Sequence, residues 1–539
     1  MTLPYLHYRQ PQPGCYRLAR GVHLRDETLI CDYPLRVIRP GATALRLLAY
    51  CDQERTGAEL AALLGLSFKQ VERLCERLYW KGLLAAGPHL PPETWPGVSI
   101  VIPSRNRARQ LERCLSSLLN LDYPPDCLEI IVVDDASNDR TGAMLAQFTR
   151  ECQARGLSLR IVRHTRQRGV AISRNSGAEQ ACMEFIAFID SDCVATPGWL
   201  TELTPVLQDR AIGAVGGMIR AHERHSALGR YEDARSSLYM GERPQQVRLE
   251  GPLTYLPTAN FLVRRGEWQK LGGFAPLTHG EDVDFCRRLL LSGAAIRYLP
   301  RGIVLHEYRT DVAGFVKTRI SYASSEAVLL QRHPTERRVL ALPPEQATFA
   351  ELTLGGLWGI LSMFHRNTRT RNIRTRAGTS PRPGDGMGSR PLRPPASGIA
   401  CIFFFILAIL LTLYGARKRL VAVRRQRISI NPFIILRATL RAHLAYVYHL
   451  CRHVTRYYTL PMLLVGFVFP PLLLLALMLC AIVISIDYAR LRPRMTLGGF
   501  ALCSLLDDCA YEIGVVVGCI KQRTWKPLLP VISVVHRTR

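Results

Sequence analysis

The stretch "FIAFIDSDC" ends an apolar run with two aspartates one residue apart, Asp190 and Asp192. Carboxylates so placed can hold a divalent cation through hard oxygen ligands, or they can form the polar turn that closes a buried strand. Spacing alone leaves both readings open. Further along, "GEDVDFCRR" sets Glu281 and Asp282 at the start of a helical pattern whose Val283, Cys286 and Leu290 are expected to face inward. Acids there either complement the helix dipole, worth roughly 0.3–1 kcal/mol, or supply a general base. Asp134 and Asp135 close a second apolar run, "LEIIVVDD", as an Asx turn or as a ligand contact. His306 in "VLHEYR" follows a short strand pattern, where a lone histidine is either structural or a ligand.

These residues need a scaffold, and the pattern between 97 and about 310 supplies one. "VSIVIP" (98–103) reads as a strand, "RARQLERCLSSLLNL" (107–121) as an amphipathic helix, and "LEIIVVDD" (128–135) as a second strand. A helix from Thr141 to Arg155, the strand "LSLRIVRH", the helical start "VAISRNSGAEQA" and the strand "EFIAFID" follow. Near-continuous apolar strands separated by helices imply an α/β domain whose parallel sheet is covered on both faces. Ligands of such sheets gather at the carboxyl ends of the strands. The polar clusters Ser104–Arg107, Asp134–Asp139 and Asp190–Asp192 fall at those ends.

The flanks have other characters. At 539 residues the chain is too long for one ordinary core. Residues 1–92 read as a domain of short strands followed by a helix, a tight turn and a helix, in the manner of a winged helix. Thr56-x-x-Glu59 and Ser67-x-x-Gln70 are capping boxes, Gly65 is a stop, and Phe68, Val71, Leu74, Cys75 and Leu78 share one face. A proline-rich boundary at 88–97 leads to a catalytic-type domain spanning 97–335, then a helical extension, 336–364. A basic Pro/Gly/Arg linker at 365–398 is expected to be disordered, and an apolar helical region follows over 399–539.

Seventy Lys and Arg against 43 Asp and Glu give a formal charge of +27, which suits an anionic partner. The arginines crowd 366–456, beside apolar runs at 399–415 and 460–486, so a membrane surface fits better than nucleic acid. The second run contains Pro470-Pro471, expected to split it into two short halves. Ten Lys and Arg between the runs would lie on the wrong side if the first crossed outward. Segments that dip into the cytoplasmic leaflet and return are therefore expected. Sixteen cysteines are scattered singly, as buried thiols of a reducing compartment would be. The first residues lack a basic start and a long apolar stretch, so no secretory signal is expected.

Seven blocks in order, "VSIVIPSRNR", "EIIVVDDASNDRT", "GVAISRNSGAEQA", "FIDSDC", "TANFLVRR", "LGGF" and "GEDVDFCRRLLLSG", resemble the family 2 glycosyltransferases. The resemblance covers roughly 97–310 and implies a GT-A (Rossmann-like) fold and a nucleotide-sugar donor. It also implies site roles: Asp192 as ligand to a divalent metal (Mg2+ or Mn2+), and Asp190 on ribose or metal. Asp282, beside Glu281, would be the base of an inverting transfer, and His306 a metal or diphosphate contact. Asp134 and Asp135 would lie at the base, with Asp135 the stronger candidate. Pro103, Ser104 and Arg105 would line the nucleotide, and Arg168, Arg174 and Asn175 would contact base, ribose and phosphate. A helix-start carboxylate of depressed pKa would be a weak base, so proton transfer would come late in the reaction. The family's Gln-x-x-Arg-Trp motif is not evident, which argues against long-chain synthesis.

Residues 1–92 are similar to PqqD-type peptide-binding domains. Together with "YASSEAVLLQRHP" and "DDCAYEIGVVVGCIKQRTWKPLLP", the whole resembles mycofactocin-system glycosyltransferases. That implies a UDP-sugar donor, transfer of a hexose (glucose), a peptide-derived acceptor, and work at the cytoplasmic face of the membrane. The competing enzyme is a polysaccharide or glycolipid transferase, favoured by the apolar C-terminal region. A DNA-binding regulator is disfavoured, because Lys69, Arg73, Arg77 and Lys81 are interleaved with Glu72 and Glu76 on one helix.

Overall fold

The computed structural model describes residues 14–25, 27–32, 35–86, 95–334, 339–359, 396–426 and 428–534. The expected linker at 365–398 falls almost wholly outside the described residues. The chain divides into two compact units, one of Met1–Ile30, Ile38–His333 and Leu491–Cys503, the other of Cys31–Val37, Pro334–Arg490 and Ser504–Arg539.

The first unit is built on an eight-stranded sheet. Its order is Gln245–Gln246, Ala295–Tyr298, Ile212–Gly216, Phe261–Arg264, Phe185–Phe188, Val98–Ser104, Leu128–Asp134 and Ser158–Arg163. Alternate residues serve opposite faces, as a pleated strand requires. Ile100, Ile102, Ile130, Val132 and Ala187 join one core, with helices Ala108–Leu118 and Thr141–Ala154. Val101, Ile131, Ile186 and Phe188 join the other, with Phe261, Phe274 and Phe285. Helix Val170–Glu179 lies close on this second face. A Cβ added at Gly177 would stand 2.5 Å from Val101 Cγ1 and 2.9 Å from Val133 Cγ2.

The sheet is mixed rather than parallel. Phe261–Arg264 runs antiparallel to both neighbours, although the four strands from Phe185–Phe188 to Ser158–Arg163 are parallel. The reason lies in the connection: after Ala195 the strand–helix alternation gives way to short helices and loops, so Phe261–Arg264 enters from the opposite end. Ser158–Arg163 is an edge strand, largely exposed rather than covered on both faces. A separate three-stranded sheet of Cys193–Ala195, Val304–His306 and Ile219–Ala221 sits just past Asp192, and pairs Cys193 with His306.

In the N-terminal part, strand Cys15–Leu18 lies between Arg55–Thr56 and Leu84–Ala86. Both capping boxes form, and Gly65 ends its helix in the left-handed region at φ 67°. A helix that the sequence reading did not anticipate spans Ala42–Tyr50. Val71, Cys75 and Leu78 are buried as expected, but Phe68 is 52% exposed. As the first residue of its helix it projects beyond the buried stripe, and its ring lies over Gly57. The far end of that helix is anchored by Trp80, over which Arg297 stacks at 4.7 Å.

The second unit is mainly helical. Ala396–Arg425, Pro432–Tyr457 and Pro470–Leu491 surround a core that includes Ala408, Val447, Cys451, Leu479 and Val483. Buried charges are paired within it: Asp508 takes Arg452 at 2.6 Å and Arg456 at 2.9 Å. Glu512 accepts the Thr459 and Leu460 amides at 2.6 and 2.7 Å, satisfying a helix start. Pro470-Pro471 does break the apolar run, but unequally, with the eight-residue helix Thr459–Gly466 before it. It opens a 22-residue helix, where prolines of the first turn forfeit no helical hydrogen bond. Cys401–Arg425 and Pro470–Leu491 are long and apolar enough to cross a membrane by length and composition. Phe467, Val468 and Phe469 are 80%, 89% and 57% exposed at the turn before the second.

Candidate active site

Strand register brings the polar ends together. Ser104 pairs with Asp134, and Phe188, two residues before Asp190, pairs with Val101. The aspartates nearest the sheet edge are tied to the adjoining loops. Buried Asp134 accepts the Ser137 amide at 2.9 Å and Arg163 Nε at 3.0 Å, which is the Asx turn of the sequence alternatives. Asp135 accepts His164 Nδ1 at 2.7 Å, the Arg168 amide at 2.8 Å and the Gly169 amide at 2.9 Å. Burial pushes the Asp135 carboxyl up, but the His164 bond and the two amides outweigh it and hold it below the usual range. His164 also meets the Ser176 hydroxyl at 3.1 Å, so it links the end of one strand to helix Val170–Glu179.

That helix carries the central connection. Arg174 is buried and bonds Asp190 Oδ1 at 2.6 Å through Nη2 and Glu281 Oε1 at 2.5 Å through Nη1. One guanidinium thus joins the D-x-D pair to the acidic helix start, 107 residues away in sequence. Against burial, the charges of Asp190 and Glu281 raise its pKa, so it stays a cation. The next residue, Asn175, has a different task. Its side chain exchanges two hydrogen bonds with the Phe274 backbone, at 2.8 and 2.9 Å, and holds the "LGGF" loop. Gly273 in that loop has φ 74° and leaves no room for a Cβ, which would fall 2.7 Å from Asn175 Oδ1.

Asp192 is held by Arg107 through Oδ2. Its other oxygen, Oδ1, is buried without a hydrogen-bond donor and lies 3.6 Å from His306 Nε2. His306 Nδ1 is likewise buried without a partner. Burial opposes ionisation of Asp192, yet His306, Arg107 and Arg309 keep its pKa below the ordinary value. Ligand atoms of Asp192, Cys193 and His306 lie within 4.8 Å of one another. Burial pushes the Cys193 thiol well up, so it stays protonated and is a poor ligand for a hard cation. An orphaned, buried carboxylate oxygen with an imidazole beside it fits a divalent ion. Arg107, Gln110, Asp192 and the segment Glu307–Asp311 line an open pocket at this point.

Asp282 opens helix Glu281–Leu291 behind the left-handed Gly280, and its Oδ1 accepts only the Val283 amide, at 2.8 Å. Its pKa is pushed up to about 7, by burial first and then by the charge of Glu281. The depressed carboxylate expected at a helix start is therefore replaced by one that titrates near neutral pH. The dipole effect is smaller than desolvation beside a second acid. The inward face also differs: Asp284, Phe285, Cys286 and Leu289 are buried, whereas Val283 and Leu290 are only half-buried.

Pro103 pairs within the sheet, and Ser104 Oγ is buried without a partner at its edge. Arg105 and Arg168 are exposed, and Arg168 contributes its amide to Asp135. Roles missed from the sequence are those of Arg107, His164 and Asp284. Asp284 binds Arg288 and Arg332, each at 2.9 Å, and His333 at 3.0 Å. The third acid of "GEDVD" was a visible signal for it, but partners 48 and 49 residues away were not.

Comparison with known proteins places the chain in a family. The model of glycosyl transferase family 2 matches residues 99–271. The pre-mycofactocin glycosyltransferase of Mycobacterium tuberculosis is 31% identical over 352 residues, 62% of this chain and 67% of that protein. Glycosyltransferase AglE of Haloferax volcanii is 28% identical over 219 residues, 40% of this chain and 68% of AglE. Among solved structures, the mannosyltransferase PcManGT of Pyrobaculum calidifontis, in complex with GDP-Man and Mn2+, covers 66% of this chain and 88% of its own. Its identity is 19% and its TM-score 0.36. With its mixed α/β domain and helical C-terminal region, the chain belongs to the mycofactocin-system group of family 2 glycosyltransferases.

Proposed function

We propose that the chain moves a hexose, glucose, from a UDP-sugar to a hydroxyl of a peptide-derived acceptor with inversion at the anomeric carbon. The observation that carries this reading is the Arg174 bridge, because it brings the D-x-D pair and the Glu281–Asp282 helix start into one site. Asp282 takes the acceptor proton as the acceptor oxygen bonds to the anomeric carbon, and the bond to the UDP oxygen breaks. Its pKa of about 7 makes it an effective base near neutrality. Asp192, His306 and Asp190 would hold a divalent metal, Mg2+ or Mn2+, which when bound neutralises charge on the departing diphosphate. Arg107 and Arg174 keep the acidic groups apart and oriented.

Residues 1–92 would serve as the PqqD-like holder of the acceptor. The basic, apolar C-terminal region would bind the cytoplasmic face of the membrane, consistent with its exposed Phe467–Phe469 turn. The same exposed apolar surface favours a second reading, transfer to a lipid-linked acceptor. The test is release of UDP or GDP from UDP-glucose, UDP-N-acetylglucosamine and GDP-mannose, with and without Mn2+, using pre-mycofactocin or a lipid-linked sugar as acceptor. Metal-dependent transfer from UDP-glucose to pre-mycofactocin is expected, with loss of about 10³-fold in Asp192→Ala. Full activity in that variant would remove the metal assignment, and transfer confined to the lipid acceptor would favour the second reading.

A further inference from the structure

The motif "YASSEAVLLQRHP" begins at Tyr322, on the long helix Val312–Arg332, and nothing in the donor chemistry above uses it. The structure fixes that helix firmly beside the acidic helix start. Arg319 bonds both oxygens of buried Glu232 at 2.8 Å, and Arg332 bonds Asp284, two residues beyond Asp282. Between these anchors, positions 322, 325, 329 and 332 share one helical face. A Cβ at Gly280 would lie 3.0 Å from Leu329 Cδ1 and 3.3 Å from the Ser325 hydroxyl. One turn earlier, the Tyr322 ring meets His279 edge to face at 5.1 Å. This face of the helix therefore runs along residues 279–284, with Tyr322 at the His279 end.

Tyr322 remains 37% exposed despite these neighbours. Its phenol is pushed up by desolvation first, then by the charges of Asp190, Asp192 and Asp282. With His279 against its ring and Gly280 beside Ser325 and Leu329 on the same face, Tyr322 stands next to the acidic helix start. An aromatic ring fixed on a rigid helix, open to solvent and next to a carboxylate base, is suited to receive the flat face of a cyclic molecule. Its hydroxyl is a donor among acceptors.

We propose that Tyr322, backed by His279, forms the acceptor-side wall of the site and sets acceptor specificity, favouring a sugar or aryl ring that carries the attacking hydroxyl. This rests on the transferase reading above. The test measures steady-state transfer by the full chain from UDP-glucose to pre-mycofactocin with Mn2+. Tyr322→Ala should raise the acceptor KM about tenfold, with the donor KM within about twofold. Tyr322→Phe keeps the ring and should stay within about threefold of wild type. His279→Ala, a milder change, should shift the acceptor KM in the same direction by a smaller factor. An unchanged acceptor KM in Tyr322→Ala, or a donor KM that rises in parallel, would overturn the wall. Hydrolysis of UDP-glucose by the wild-type chain without acceptor reports on the transferase reading by itself, so the wall can fail while that reading stands.

Discussion

Aspartates close parallel strands at two places on the sheet edge, and the two sets live in opposite circumstances. Asp134 and Asp135 are bound chiefly by backbone amides and by His164, and neither has a buried oxygen left without a donor. Asp190 and Asp192 are bound by the guanidiniums of Arg174 and Arg107, and Asp192 keeps one buried oxygen unpaired. Amides cannot leave without rebuilding the backbone, whereas an arginine head on a flexible stem can give way to an arriving cation. In sequence both are aspartates after a strand, yet one set is tied into loops largely by backbone amides and the other is held by side chains.

The sharpest way to test that division is Asp282, which sits with the second set. Asp282→Asn should lower kcat by up to about 10⁴-fold, the upper range for a general base. In wild type, kcat/KM should rise with pH through about 7 as Asp282 loses its proton, and that limb should vanish in the variant. A pH–rate profile checks both. Asp135→Ala should break the other set by loosening structure. It strands His164 and two amides, at about 1–3 kcal/mol for each buried group left unpaired. A lower urea midpoint and faster amide exchange over residues 165–179 are the expected readouts. The pKa shift is opposite in direction to that of Asp282, although both effects fade as pH falls. The folded pKa of Asp135 lies below its unfolded value, so its contribution is complete above the unfolded value, near 3.9, and is lost as pH falls through the folded one. Least affected should be Asp134→Asn. Arg163, its ion-pair partner, is 60% exposed, and the amide oxygen can still accept from Ser137. A cost of about 1 kcal/mol or less is expected by urea unfolding.

Much of the scaffold was legible because it depends on local pattern. Near-continuous apolar runs located Val98–Ser104, Leu128–Asp134 and Phe185–Phe188, and the capping boxes at Thr56 and Ser67 marked two helix starts. The antiparallel Phe261–Arg264 was not legible, since strand direction depends on where a long irregular connection delivers the chain. Nor does a sequence pattern say what a polar side chain will find on folding. Arg174 and Asn175 are neighbours in one motif, yet one bridges two carboxylates and the other fastens a loop. The pKa of Asp282 was misjudged for the same reason: the dipole is a local property, but desolvation is a property of the surroundings.

Gly177 carries a consequence for how this domain tolerates change. The helix bearing Arg174 and Asn175 rests on Val101 and Val133 at the place where one residue has no side chain. The height of the helix above the sheet, and with it the reach of the arginine that unites the two acidic motifs, is set by a missing carbon. Vulnerability in this enzyme therefore does not fade smoothly with distance from the carboxylates. An apolar contact with no charge, no hydrogen bond and no reactive group belongs among the positions where variation is least affordable.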